Sequence, residues 1–566
     1  MIRKTRQKTR AAATAVALTL TFAAGSAAQH HNSHDPRALA TDPRMASEQI
    51  APVLEGIGDH HHPVTTSSER AQLFFDQGLK LTYAFNHQEA LRAFKEAARL
   101  DPDCAMAYWG WALVLGPNLN LPMRPEVVGQ AYDAARMAVE RKDKVTDKER
   151  MLIEALAERY SDDPEAERAP LDAAYAEAMT AVYEKYPEDD DVATLYAAAL
   201  MNLAPWNYWT ADGRPQGQTA KFLAVLEGAM ERDPNHEGAL HYYIHAVEPV
   251  DPERGVEAAD NLRGLAPGAG HLTHMPSHIY MQVGRYGEAF EANVQAAKAD
   301  EGYLTQCRAQ GIYPLNYYPH NVHFLVWAAI MQGKSADALE AARKVASKVP
   351  ADHHGNDWAL YQTFLSMPLY TMARFGMWQE ILDEPKPTGD TRYWTGIWHY
   401  ARGLAFVHTG KRKRAGKELA ALRAIVDDPT TPEVLIGFSN AHVLLTIARE
   451  VLEGEVAARS GDFDAAVARL DKAVRYEDSL LYTEPPDWYY PVRHTLGAVL
   501  LEAGRLREAE VVYWQDLEKY QDNGWALYGL YQTLKAQGHP ARAYDVERLF
   551  REAWGHADVT LASSRF

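Results

Sequence analysis

The sequence predicts an all-α protein, a right-handed α-solenoid of helix-turn-helix repeats. Three observations carry this reading. The chain has 566 residues, well above the roughly 250–300 at which a single core stops growing, so it must divide into domains or repeat a small unit. A glycine followed five residues later by an alanine recurs in order: Gly284/Ala289, Gly333/Ala338, Gly410/Ala415, Gly461/Ala466, Gly504/Ala509 and Gly538/Ala543. Between these pairs, apolar residues keep the three- and four-residue spacing of helices that bury one face, and strand-like alternation is almost absent.

The chain opens on an address. Arg3, Lys4, Arg6, Lys8 and Arg10 precede an apolar stretch from Ala11 to Ala24, and Ser26-Ala27-Ala28 then supplies small residues. This is the three-part pattern of a secretory signal. The apolar stretch falls short of the roughly 20 residues a bilayer span needs. Cleavage near Ala28 is therefore expected, with export to the periplasm or medium and no transmembrane segment in the mature chain. Residues 29–68 read as an extended, His- and Pro-rich leader. Its Asp59-His60-His61-His62-Pro63 run reads as an adventitious metal-binding tract on a tail.

From Ala71 to Cys104 the chain places Phe74, Gly78, Ala90, Phe94, Ala97 and Pro102 at spacings that resemble the tetratricopeptide (TPR) unit. In that unit small residues let two antiparallel helices approach closely, and a proline ends the second. Helices are expected at 134–142, 148–160 and 171–186. Turn chemistry interrupts the pattern at Gly116-Pro117-Asn118, across 205–217, and at Glu484-Pro485-Pro486-Asp487. The solenoid is expected over 69–557, with 558–566 as a tail; a sub-boundary, if there is one, falls near 383–391.

Several stretches also resemble a group of secreted bacterial TPR proteins: His-His-Pro-Val at 61–64, Tyr-Ala-Phe-Asn-His at 83–87 and Cys-Ala-Met-Ala-Tyr-Trp-Gly at 104–110. His-Tyr-Tyr-Ile-His-Ala-Val-Glu at 241–248 and His-Met-Pro-Ser-His-Ile-Tyr at 274–280 continue the likeness. The resemblance implies fold and export, and no reaction.

Composition removes several functions. The net charge is −18, which argues against nucleic acid as a partner. Two cysteines, Cys104 and Cys307, exclude a disulfide scaffold and a four-cysteine zinc site, and their separation argues against pairing. The sequence has no Gly-rich phosphate loop and no Cys-x-x-Cys-His, so neither a nucleotide nor covalent haem is expected. His-Glu-x-x-His and Gly-x-Ser-x-Gly are also missing.

Histidine is the exception to an ordinary composition. Of 23, six fall at 30–62 and seven at 241–323. Counting back from Gly284 and Gly333 puts His271, His274 and His278 in the same repeat positions as His320, His323 and Trp327. A looser alignment adds His241, His245 and Glu248. In TPR proteins those positions line a concave groove, so the resemblance implies that imidazoles and a carboxylate face one cavity. His241 and His245 are i,i+4 and share a helix face. With His274 and His278 they form the predicted metal site, and Glu248, His271, His320 and His323 are further candidates. Pro276 is expected to begin a helix, leaving His274 just before it. Imidazoles with one carboxylate suit zinc, copper or iron. Trp206, Trp209, Tyr318, Trp327 and Trp488 are the candidate groove aromatics. The resulting expectation is an exported repeat protein that binds a small molecule or protein partner in its groove, with a His-lined metal site. One alternative is a metalloenzyme in which Glu248 is the catalytic acid/base. The other is an assembly scaffold with structural histidines.

Overall fold

A computed structural model describes residues 49–307 and 313–566; the expected signal and the first part of the expected leader lie outside them. Helices follow one another in antiparallel pairs, from Glu69–Tyr83 with His87–Leu100 to Gly524–Ala536 with Pro540–Ala553. The helices read from the sequence at 134–142, 148–160 and 171–186 are Val128–Val139, Asp147–Ala157 and Arg168–Lys185. Among the described residues the only strands form a two-residue hairpin, Leu435–Ile436 with Ser439–Asn440.

The turn glycines explain the pairing. Gly284, Gly333, Gly410, Gly461, Gly504 and Gly538 all have φ between 72° and 80°, the left-handed conformation that ends a helix. At each, the next residue's N–H returns to a carbonyl five residues back, as Arg285 does to Tyr280 at 2.8 Å. Glycine adopts this conformation without the roughly 1–2 kcal/mol that a Cβ adds. The helices then meet over small residues: a Cβ on Gly78 or Gly110 would sit 2.6 Å or 2.3 Å from the Phe94 ring, which the two glycines sandwich.

The solenoid winds back on itself. Trp525 Nε1 donates to the Ile330 carbonyl at 2.9 Å, and Tyr286 donates to the Gln521 carbonyl at 2.8 Å. Tyr489 donates to the His323 carbonyl at 3.1 Å. The tail at 558–566 is also pinned: Asp558 accepts the Ser335 N–H, and Ser564 donates to the His494 carbonyl. The inner face around residues 241–323 is thereby covered by the chain's own segments, where an open groove was expected. Among the described residues no helix is long and apolar enough to cross a membrane.

Candidate metal centre

Helix Glu237–Val247 carries His241 and His245 one turn apart. Gly270–His274 carries His271 and His274, Pro276–Gln282 carries His278, and Tyr318–Met331 carries His320 and His323. A helix begins at Pro276 as expected, with His274 ending the helix before it, but the two histidines are not separated. Met275 keeps helical dihedrals (φ −50°, ψ −38°) and its N–H donates to the His271 carbonyl at 3.0 Å. The proline removes one ladder bond but the helical path continues, so the His274 and His278 rings stay together with Nε2 atoms 2.9 Å apart.

The imidazoles do not gather around one point as four ligands of one ion. They form two neighbouring triads, His241/His245/His271 and His274/His278/His320, each offering nitrogens within 4.8 Å of one another. His323 joins neither. Its ring stacks on Tyr489 with centroids 5.3 Å apart, and burial lowers its pKa to about 3. His320, three residues earlier on the same helix, does face the centre, so the repeat offset alone does not separate the two.

In the first triad the rings are at most 2 % exposed. His241 Nδ1 donates to the Tyr83 carbonyl at 2.5 Å, and His245 Nδ1 faces Glu248 Oε1 at 3.2 Å. The Nε2 atoms of both, and both ring nitrogens of His271, have no hydrogen-bond partner among the described residues. Each such buried orphan costs about 1–3 kcal/mol. Burial first, and neighbouring imidazoles second, push all three pKa values well below the ordinary histidine value. Neutral imidazoles keep the lone pair a cation binds. A backbone carbonyl and a carboxylate on the far nitrogens are the outer partners that orient ligating histidines.

Two strained residues lie on this triad. The Phe85 ring is 4.4 Å from His241, 5.9 Å from His245 and 5.5 Å from His271. Trp206 meets His245 edge-on at 5.2 Å. Their φ angles are 53° and 62°; the one other described non-glycine residue with positive φ is Asp522, far along the chain. Phe85 stands five residues before Ala90, at the place where other repeats put their turn glycine, and Asn86 N–H bonds the Leu81 carbonyl in the same pattern. The repeat thus accepts backbone strain to keep an aromatic ring over three imidazoles.

The second triad packs on Phe324, which lies 4.6 Å from His274 and His278 and 5.0 Å from His320. His274 Nδ1 faces Asn293 Oδ1 at 2.6 Å. His278 Nδ1 lies 2.6 Å from Glu248 Oε2 and 2.8 Å from Glu484 Oε2. Burial opposes a charge on His278, but the two carboxyls outweigh it and hold its pKa at about 10. Burial raises both carboxyls against the pull of His278. Glu248, expected as an acid/base or ligand, is engaged with one imidazole from each triad.

Of the groove aromatics, Trp327, Tyr318 and Trp488 are each 1 % exposed and pack inside, with the Tyr318 hydroxyl on Glu301. Their apolar surface is used between helices. Trp206 and Trp209 are half-buried; Trp209 Nε1 donates to the Ala246 carbonyl at 2.8 Å. Cys104 and Cys307 are buried free thiols.

The leader is not a free tail where the structure describes it. His60 Nε2 and His62 Nδ1 reach Asp191 at 2.9 Å and 2.6 Å, and His236 Nε2 reaches it at 3.2 Å. Tyr83 donates its hydroxyl to the same carboxylate at 2.5 Å. Sequence reasoning missed Asp191, His236, Phe85, Phe324 and Glu484 as parts of these clusters. Only Phe85 left a local signal, a large residue at a turn-glycine position.

The tetratricopeptide repeat family matches residues 451–472. No curated protein matches the sequence. Among solved structures, the chain is similar to a human IFIT1 dimer with m7Gppp-AAAA at 12% identity and a TM-score of 0.30, over 87% of this chain and 91% of that one. It is similar to yeast Tom70 at 14% identity and a TM-score of 0.26, over 86% and 92%. The Cut9–Hcn1 hetero-tetramer of APC/C gives 12% identity and 0.29, over 85% and 76%. The chain is an all-α helical-repeat protein whose helix pairs turn at left-handed glycines, and residues 451–472 within it match the tetratricopeptide repeat.

Proposed function

We propose that this helical-repeat scaffold is an exported metalloprotein that holds a first-row transition-metal ion on His241, His245 and His271. One observation carries the reading: three buried, neutral imidazoles offer unpaired nitrogens to a common space while two far nitrogens are tied by Tyr83 and Glu248. A structural cluster of this size would satisfy its nitrogens with one another or with carboxylates. Three imidazoles leave a fourth position for an exogenous ligand, the pattern of catalytic rather than closed structural sites. Zinc, copper and iron all suit such a donor set.

A cavity of about 350 Å³ lies beside Ala84 and Gly270, the neighbours of Phe85 and His271. It supports the metalloenzyme version of the reading, in which a small molecule reaches the ion. The signal-like first 28 residues support export, which N-terminal sequencing of protein recovered from a periplasmic fraction checks.

The metal reading is tested by elemental analysis of the untagged protein, with His245→Ala and His271→Ala measured beside it. One equivalent of metal fewer in both variants than in the wild type, with circular dichroism unchanged, is the expected result. Metal at background in the wild type after growth and reloading with zinc, copper and iron would overturn it.

A further inference from the structure

We propose that a second metal ion sits on His274, His278 and His320, making the centre dinuclear, with Glu248 linking the two halves. This deepens the reading above and rests on the first triad being a metal site.

The argument starts at the two facing nitrogens. Asn293 Nδ2 donates to the Ala289 carbonyl at 2.7 Å, which fixes its amide so that Oδ1 faces His274 Nδ1 at 2.6 Å. An amide oxygen only accepts, so the His274 proton is on Nδ1 and its lone pair is on Nε2. His278 Nδ1 lies 2.6 Å from Glu248 Oε2 and 2.8 Å from Glu484 Oε2, which leaves Nε2 as the nitrogen that faces His274. The two Nε2 atoms then meet at 2.9 Å. Two ring nitrogens this close share one cation, either the proton that a charged His278 carries or a metal ion in its place. Donors at that separation, each with a metal–nitrogen bond of about 2.0–2.1 Å, subtend roughly 90° at an ion, within reach of ordinary coordination.

The third donor and the surroundings favour the ion. A proton bridges two nitrogens and has no use for a third, yet His320 brings a ring nitrogen within 4.8 Å of both. Its ring centroid is 4.9 Å from that of His274 and 5.6 Å from that of His278. The first triad shares this architecture, with nitrogens that converge within 4.8 Å and one phenylalanine against all three rings. The two sets adjoin, with His245 and His278 rings 5.3 Å apart and His271 and His274 rings 5.7 Å apart. Glu248 Oε1 is hydrogen-bonded to His245 Nδ1 and its Oε2 lies 2.6 Å from His278 Nδ1, so one carboxylate touches a ligand of each ion.

The experiment loads chelator-stripped, untagged protein with zinc alone and counts ions per chain. The expected result is two in the wild type and one in each of His320→Ala and His271→Ala. A wild-type count of one that His271→Ala removes and His320→Ala leaves overturns the second ion and keeps the first. A count of zero overturns both. His274→Ala repeats the test in a different helix, and should His320→Ala fail to fold, a wild-type count of one alone refutes the proposal.

Discussion

Two buried histidine clusters lie on either side of Tyr83 and make opposite use of the same side chain. Its hydroxyl donates to Asp191, where His60, His62 and His236 converge; its backbone carbonyl accepts His241 of the first triad. Around Asp191 a carboxylate occupies the centre, so imidazoles point polar atoms at an acid and the cluster becomes a clasp for the segment before the first helix. Around His241, His245 and His271 no acid stands at the centre, and the inner nitrogens are left with lone pairs and no partner. Burial is common to both clusters. The acid at the centre is what differs between them.

The largest test of the contrast removes that charge. Asp191→Ala leaves buried imidazoles without their acid and is expected to cost about 3–5 kcal/mol of unfolding free energy, the range for breaking a buried charged pair. Denaturant unfolding of variant and wild type measures it, and a change under 1 kcal/mol would show that the clasp is not charge-based. The clasp also has a pH signature. Burial opposes a charge on Asp191, but hydrogen bonds from His236, His60 and His62 outweigh it and hold its pKa well below the usual 3.8, so its contribution is present above about pH 4 and lost as pH falls through the depressed value. His60 is raised above 6.5 because Asp191 outweighs burial, so its contribution is full below that pH and fades as pH rises through the folded value. The difference between wild type and Asp191→Ala is therefore greatest between about pH 4 and 6.5; a flat difference from pH 5 to 9 would contradict it.

On the other side of Tyr83, Glu248→Gln keeps the shape of the side chain and removes its charge. Loss of an outer partner typically weakens metal affinity 10–100-fold, and that is the expected loss at the first triad. Competition with a calibrated chelator reads it. An unchanged affinity would mean that Glu248 orients neither ring.

The fold was legible because the solenoid repeats its punctuation: each turn glycine announces a left-handed helix end, and an alanine five residues on announces the packing that follows. The helix-borne ligands were legible for the same reason, His241 and His245 by i,i+4 spacing and His271, His274 and His320 by register. Their division into two triads was not, because it depends on Met275 staying helical ahead of a proline. His323 was misassigned because its ring packs on Tyr489, which reaches it from a distant part of the chain. Glu484 and Asp191 carried no signal: each reaches its histidines from a distant part of the chain, and only the winding of the solenoid brings them together.

The smallest expected effect concerns the strain above the first triad. Phe85 and Phe94 are both fully buried, yet Phe94 sits in an unstrained helix while Phe85 holds φ at 53° in a place that six other repeats give to glycine. Phe94→Ala is expected to cost about 3–5 kcal/mol, as large-to-small substitutions of buried aromatics do. Phe85→Gly deletes a similar ring but also removes a backbone penalty of about 1–2 kcal/mol, so its net cost is expected to be lower by about that amount. The same variant uncovers the three imidazoles and is expected to weaken metal binding, which Phe94→Ala leaves alone. A smaller loss of stability with a larger loss of metal means that the repeat gave up its glycine for the site. Should Phe85→Gly prove as destabilising as Phe94→Ala, the left-handed turn at Phe85 carries no strain, and the departure from glycine is a matter of packing alone.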